Sequence, residues 1–232
     1  MISIVIPTFN EAENIRDILI RTMDAMNVAC LSYEIIVVDD YFLDGIADIA
    51  MDILKDNGKV ICRIGKSRSL SLSILDGINA ASGEIVVVMD ADGSHPPELI
   101  HEFYSQFALG YDLVIASRYI SGGGTIGFSL LRKVISYGAC FLGRFVTSVR
   151  DNTSGYFCIR LSCFEGVKLT PRGFKIGLEI FVKARYRRYK EIPYIFSNRA
   201  KGKSKLSGKV TLQYILQLIE LLQYRIFNRR RF

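Results

Sequence analysis

Short apolar runs rich in Ile and Val recur over 2–6, 34–38, 59–62, 84–89 and 112–116, and longer stretches with helical spacing separate them. Runs that are apolar at successive positions, not only at alternate ones, mark strands covered on both faces. Between the first two, Ile15, Ile18, Leu19, Thr22, Met23 and Met26 follow the i, i+3, i+4, i+7 spacing of an amphipathic helix. Asn10 is its predicted N-cap and Glu13 the capping-box partner. Helices are also expected over 44–55, 70–81 and 97–107. Strand and helix thus alternate through the first half, which predicts an α/β fold with a mostly parallel sheet, right-handed crossovers and helices on both faces. With 232 residues, no internal repeat and no linker rich in Pro, Gly or Ser, one domain over 1–232 is expected, made of an N-terminal half at 1–112 and a second half at 113–232.

Parallel strands bring their carboxyl ends to one edge, where ligands of open α/β sheets collect. Three polar loops reach that edge: Pro7-Thr8-Phe9-Asn10-Glu11, Asp39-Asp40 and Asp90-Ala91-Asp92. The last follows Ile85-Val86-Val87-Val88-Met89 and turns through Gly93-Ser94-His95-Pro96-Pro97 into a helix. Two neighbouring carboxylates repel unless a cation or a donor-rich ligand lies between them, which points to a divalent metal with oxygen ligands, Mg²⁺ or Mn²⁺. A helix cap beside a solvated loop acid is the plainer account, and spacing alone leaves both open. There is no GxGxxG fingerprint and no Walker A loop, which argues against a dinucleotide oxidoreductase and a P-loop NTPase.

Charge sharpens this picture. Residues 1–112 carry 7 Lys+Arg against 18 Asp+Glu, a net −11, whereas residues 113–232 carry 23 against 5, a net +18. The acidic half suits a metal-mediated anion site; the basic half suits phosphate, nucleic acid or an anionic membrane surface. A nucleic-acid partner leaves the acidic strand-end loops unexplained and is not expected. Five scattered cysteines, without metal-ligand pairing, read as reduced thiols of an intracellular protein, and the N-terminus reads as a strand, not a signal peptide. From 113 to 150 there is no acidic residue, and Arg118, Arg132, Lys133, Arg144 and Arg150 are interleaved with Phe128, Leu130, Leu131, Val134, Ile135, Tyr137, Phe141 and Phe145. This stretch predicts a basic amphipathic helix or helix pair, lying either in a lipid headgroup layer or against the sheet. A further helix over 207–227 carries Gln213, Gln217, Glu220, Gln223 and Arg225, which argue against a membrane span; Arg229-Arg230-Arg231 beside it favours peripheral attachment, with a solvated tail as the simpler default.

Several motifs in order resemble the inverting family 2 glycosyltransferases, above all those acting on dolichyl and other polyprenyl phosphates. They are Val5-Ile6-Pro7-Thr8-Phe9-Asn10-Glu11, Val37-Val38-Asp39-Asp40, Asp90-Ala91-Asp92 with His95-Pro96-Pro97-Glu98, Ala116-Ser117-Arg118-Tyr119, Asp151-Asn152-Thr153-Ser154-Gly155-Tyr156, and the later Glu191-Ile192-Pro193 and Asn198-Arg199-Ala200-Lys201-Gly202-Lys203-Ser204-Lys205. The resemblance implies a GT-A fold and inverting transfer of a hexose, mannose or glucose, from a nucleotide-sugar, GDP-mannose or UDP-glucose, to a polyprenyl phosphate. It implies that Pro7, Thr8, Asn10, Glu11, Asp39 and Asp40 surround the nucleoside, that Asp90, Ala91 and Asp92 meet the diphosphate, and that Asp90, Asp92 and Ser94 hold the metal. Arg118, Arg132, Arg199 and Lys205 become the residues that grip the lipid phosphate, with Asp90, Asp92 and Arg118 in the catalytic role. A peripheral position on the cytoplasmic face of a membrane, alone or with a small membrane subunit, belongs to the same implication. A phosphate monoester is largely dianionic at neutral pH, its second pKa being about 6, so no general base is required. His95 is accordingly read as orienting the Asp92 loop or capping the helix, and His101 as a surface residue.

Departures from the family pattern cluster around the donor. Tyr41-Phe42-Leu43 replaces a polar Asn-Ser-Pro, Arg68-Ser69-Leu70-Ser71-Leu72-Ser73 stands where a Gly-Leu-Gly segment is common, and Ser94 replaces a Gln that often assists the metal. Two alternatives therefore stay open: a degenerate module that binds lipid phosphate or nucleotide-sugar without turnover, and a transferase acting on a hydroxyl acceptor.

Overall fold

In the computed structural model, which describes residues 1–40, 44–170, 175–197 and 208–228, the first half alternates as expected. It runs β1 (Ile2–Thr8), α1 (Ala12–Val28), β2 (Tyr33–Asp39), α2 (Ile46–Leu54), β3 (Gly58–Cys62), α3 (Leu70–Asn79), β4 (Ile85–Val88), α4 (Ile100–Ala108) and β5 (Leu113–Ser117). The second half continues with β6 (Gly124–Ile126), α5 (Leu130–Gly143), β7 (Phe157–Arg160), α6 (Ile176–Lys183), β8 (Tyr189–Pro193), β9 (Ile195–Ser197) and α7 (Gly208–Asn228).

Seven strands form one sheet in the order β3-β2-β1-β4-β7-β5-β8, while β6 and β9 make a separate parallel ribbon. β1 is buried along its whole length at the centre, paired in parallel with β2 on one side and β4 on the other. The chain winds outward through β2 and β3 and then returns to β4, so the strand order reverses between β1 and β4. A crevice opens at such a reversal, outside the carboxyl ends. Successive residues of each central strand face opposite layers, which is why the runs are apolar throughout. Ile4, Ile6, Val37 and Val87 pack with Ile15, Leu19 and Phe103, whereas Val5, Val38, Val86 and Val88 pack with Ile74, Ile78 and Phe181.

β7 pairs antiparallel with both β4 and β5. This reversal has a functional consequence. An antiparallel strand delivers the loop before it, not the loop after it, to the carboxyl edge of its neighbours, so Asp151-Asn152-Thr153-Ser154 lies beside the segments that follow β4 and β5.

One expectation is corrected and an open one is narrowed. Asn10 is not the N-cap of α1: it sits at φ 58°, and Glu11 takes the cap position without a side-chain cap bond of its own. Asparagine tolerates the left-handed region, so the chain turns at Asn10 and the helix begins a residue later than the capping-box reading placed it. In place of the box, Asn14 Nδ2 donates to Glu11 Oε2 at 2.8 Å. The basic stretch after β5 forms a single helix, α5, with only Cys140 and Gly143 buried; Leu130, Leu131, Val134, Tyr137, Phe141 and Phe145 face outward. α7 lies against it through Tyr214 and Leu221, which join Val146 and Leu178 in a small third cluster. Among the described residues no helix is long and apolar enough to cross a membrane.

Candidate active site

A cleft of about 520 Å³, counted to its open mouth, occupies the crevice at the carboxyl edge and is lined by Pro7, Thr8, Phe9, Glu11, Asp40, Arg68, Leu70, Ser73, Asp90, Ala91 and Asp92. Most of the residues expected around a nucleotide therefore share one wall. Asp39 sits underneath: it is buried, and its Oδ1 accepts from Thr8 Oγ1 at 3.1 Å. Asn10 is exposed and outside the lining.

Asp40 is held from behind by residues the sequence reading did not single out. Arg63, buried at the end of β3, forms an ion pair with Asp40 through Nη1 and reaches Asp76 Oδ2 on α3 at 2.9 Å through Nε. The Ser69 N–H donates to the other oxygen of Asp40 at 3.0 Å. Burial alone would raise the Asp76 carboxyl, but hydrogen bonds and charge from Lys66 and Arg63 outweigh it and hold it below the usual carboxylate range. Arg68 stacks over Phe9, its guanidinium carbon 3.2 Å from the ring centroid, and closes one side of the cleft. A basic residue directly after a predicted strand is a signal that could have found Arg63. Nothing in the pattern marked Arg68 as more than a loop cation.

The acid pair is anchored from two sides. Asp92 is buried, and its Oδ1 accepts from the Ser94 N–H at 3.0 Å and from Ser94 Oγ at 2.5 Å. Ser94 thus acts on the pair through Asp92. His95 is buried, stacks on Tyr156 with ring centroids 4.9 Å apart, and accepts the Asp90 N–H at Nδ1 over 2.9 Å. That bond leaves Nε2 to carry the proton of the neutral ring, 4.0 Å from Asp90 Oδ2. His95 therefore holds the Asp90 end of the motif, where the sequence reading had it orient the Asp92 loop or cap the helix; His101 is exposed, as read from the sequence.

The Asp90 carboxylate itself is 30% exposed and accepts no hydrogen bond among the described residues. This suits a hard cation: an accessible carboxylate beside a second, fixed one supplies oxygen ligands of the right kind. No group of three or more His, Cys, Asp and Glu side chains converges among the described residues.

Across the edge, Arg118 follows β5 and is clamped by Asp151. Nε and Nη2 donate to the two carboxylate oxygens at 2.8 and 2.7 Å, the Arg118 N–H adds a third bond at 2.8 Å, and Nη2 also reaches Thr153 Oγ1 at 2.9 Å. Burial alone would lower the guanidinium pKa, but Asp151 outweighs it and raises it, so Arg118 stays charged. An open groove starts at Arg118 and runs along α5 past Tyr119, Val134, Tyr137 and Phe141. Arg132 lies on the first turn of α5 with its guanidinium carbon 3.8 Å above the Phe128 ring. Arg199 and Lys205 lie outside the described residues, as do Tyr41, Phe42 and Leu43.

A strand-order reversal with carboxylates at its crevice, and basic groups on the loops of the next strands, defines a ligand-binding α/β sheet with its site at the switch point. The profile of "Glycosyl transferase family 2" matches residues 3–200, and the chain belongs to that family. It is 38% identical over 227 residues to a dolichol-phosphate mannosyltransferase of Pyrococcus furiosus, covering 96% of this chain and 64% of that one. It is 33% identical to the Saccharomyces cerevisiae protein of the same name, covering 96% of this chain and 87% of that one. Among solved structures, glucosyl-3-phosphoglycerate synthase from Mycobacterium tuberculosis with Mn²⁺, UDP-glucose and phosphoglyceric acid superposes with a TM-score of 0.70 at 19% identity, over 96% of this chain and 80% of that one. Mannosyl-3-phosphoglycerate synthase from Rubrobacter xylanophilus gives 0.68 at 16% identity, over 100% and 75%. These two establish the GT-A fold.

Proposed function

We propose that the chain transfers a hexose from a nucleoside-diphosphate sugar to a polyprenyl monophosphate, with inversion, while attached peripherally to the cytoplasmic face of a membrane. The observation that carries this reading is the pairing of a cleft-lining acid doublet after β4, its Asp90 carboxylate accessible, with a clamped arginine after β5, at the mouth of an apolar groove. Relatives named dolichol-phosphate mannosyltransferase favour mannose and dolichyl phosphate; the donor is then GDP-mannose, of the two that the family resemblance implies, rather than UDP-glucose.

The nucleoside is assigned to the wall formed by Pro7, Thr8, Glu11, Asp39 and Asp40, and the sugar diphosphate to Asp90, Ala91 and Asp92. Asp90 and Asp92 would hold Mg²⁺ or Mn²⁺; the Mn²⁺ in the synthase crystals supports a divalent ion. Such an ion, when bound, neutralises charge that develops on the departing diphosphate. Ser94 and His95 keep the two carboxylates aimed at that diphosphate, so little reorganisation is required as charge builds. The acceptor oxygen is ionised without help, the second pKa of a phosphate monoester being about 6, and Arg118 and Arg132, with Arg199 and Lys205, are assigned to gripping it.

The test combines purified protein, Mn²⁺ or Mg²⁺, a panel of labelled nucleotide-sugars and a short polyprenyl phosphate. Label is expected in the organic phase, reduced about 100-fold or more in Asp92→Asn, since a lost Lewis-acid contact of about 3 kcal/mol corresponds to that factor. Lipid binding without transfer across the whole panel would favour a non-catalytic module, and preferential transfer to a hydroxyl acceptor would overturn the phosphate assignment.

A further inference from the structure

Two cations meet on one residue at the catalytic edge. Arg118 Nη2 donates to the Thr153 hydroxyl at 2.9 Å, and Lys175 Nζ donates to the Thr153 carbonyl at 3.2 Å. Arg118 has committed Nε and Nη2 to Asp151 and Thr153, so its Nη1 end has no hydrogen-bond acceptor among the described residues. Lys175 makes that single hydrogen bond and no ion pair among the described residues, leaving most of its donor capacity unused. Its backbone is fixed independently, because the Lys175 carbonyl accepts from the buried Gln217 Nε2 of α7 at 3.1 Å. The ammonium is thus positioned by the Thr153 carbonyl and forms no ion pair among the described residues. Burial and the neighbouring Arg118 both lower its pKa, opposed by Cys140, Asp151 and Asp90. Two largely buried cations side by side, with the Asp151 carboxylate already spent in a fork on Arg118, make an unfavourable arrangement until an anion arrives.

We infer that Lys175 and the Nη1 end of Arg118 form a two-cation seat for a phosphate monoester, with Lys175 supplying the charge that an arginine tied to Asp151 cannot supply alone. The inference deepens the acceptor half of the function proposed above and rests on it for the identity of the ligand. A dianionic monoester matches two positive charges, and its oxygens match the unused N–H groups. The groove that starts at Arg118 would take an apolar tail if the monoester carries one.

Calorimetric titration of the full chain tests this, using inorganic phosphate, a short isoprenyl monophosphate and, as a control, a nucleoside diphosphate, each on wild type, Lys175→Met and Lys175→Arg. Both phosphates are expected to bind wild type and to weaken at least tenfold in Lys175→Met, with nucleoside-diphosphate affinity and melting temperature unchanged and with Lys175→Arg recovering most of the loss. Tighter binding of the isoprenyl phosphate than of inorganic phosphate assigns the seat to a lipid headgroup; equal binding assigns it to free phosphate. The inference is overturned if wild type binds neither phosphate, if Lys175→Met leaves their affinity unchanged, or if the loss falls on the nucleoside diphosphate instead. Joint loss of melting temperature and of every ligand, unrescued by Lys175→Arg, would make the residue structural and overturn it as well. Lysine-dependent phosphate binding in a protein that transfers no sugar would sink the transferase reading and leave the seat standing.

Discussion

Residues that brace the site are also those through which acid should weaken the fold. Asp76 is held below its usual range because the hydrogen bonds and charge of Lys66 and Arg63 outweigh burial. Glu34 is lowered likewise, with burial opposed by Ser3, the Ser82 N–H and Lys59. A carboxyl whose folded pKa lies below its unfolded value contributes stability above the unfolded pKa, and that contribution is lost as pH falls through the folded one. Both unfolded values lie near 4, so denaturant stability should be flat above about pH 5 and decline below about pH 4. Asp76→Asn should lower the plateau and shrink the acid decline, as read from urea midpoints at a series of pH values. An equal decline in wild type and variant would remove Asp76 from the account. The same residues mark the limit of what could be read beforehand. Asp90 and Asp92 were legible because an apolar run ended directly before them. Lys175 was not, since it follows no strand and gains its place from an antiparallel strand, a Thr153 carbonyl and a glutamine 42 positions away.

At the scale of elements, β1, β2, β4 and β5 were legible because their central residues are buried on both faces and read as nearly unbroken apolar runs, while the half-buried β3 still showed a short one in Val60-Ile61-Cys62. β7 was not. Its four residues, Phe-Cys-Ile-Arg, are too few to show a period, and strand direction is set by long-range pairing with β4 and β5, which leaves no local trace. α1 was legible in its buried stripe but not in its first turn, where the left-handed Asn10 competes with a cap. The packing of α3 gives a sharp test at this scale. Gly77 brings the helix so close to β1 that an added Cβ would stand 2.4 Å from Val5 Cγ1 and 3.1 Å from Val38 Cγ2. Both valines are fully buried in the central strands and have little room to retreat. Overpacking of this kind costs about 1–3 kcal/mol, which exceeds the fraction of a kcal/mol to about 1 kcal/mol that alanine gains over glycine in helix propensity. Gly77→Ala should therefore lower the urea midpoint. A rise in stability would show that α3 can move away from the sheet freely.

The chain divides its charge between its halves, with the acidic half carrying the proposed nucleotide wall and the basic half carrying α5 and α7. On that basic side Leu130 and Leu131 are 79% and 70% exposed, Phe141 and Phe145 are 55% and 65% exposed, and the described part of α7 adds Ile219, Leu222 and Phe227. The two helices are tied together by Tyr214 Oη donating to the Ala139 carbonyl at 2.7 Å and by packing of Tyr214 against Ala139 in the third cluster. Exposed Lys133, Arg144, Arg150 and Arg225 accompany them. Apolar side chains gain about 1.5–3 kcal/mol each on full burial, and a cation near an anionic bilayer about 1 kcal/mol, so the surface should partition onto acidic vesicles through both contributions. Flotation with vesicles of acidic phospholipid should recover the wild type at low salt, less of it at 0.5 M salt, and less than a hundredth in Leu131→Asp/Phe141→Asp. Because both positions are exposed, the double variant should keep its melting temperature. Salt alone abolishing recovery would mean that charge holds the protein without insertion; unchanged recovery in the double variant would place the contact elsewhere and separate the α5 groove from the membrane.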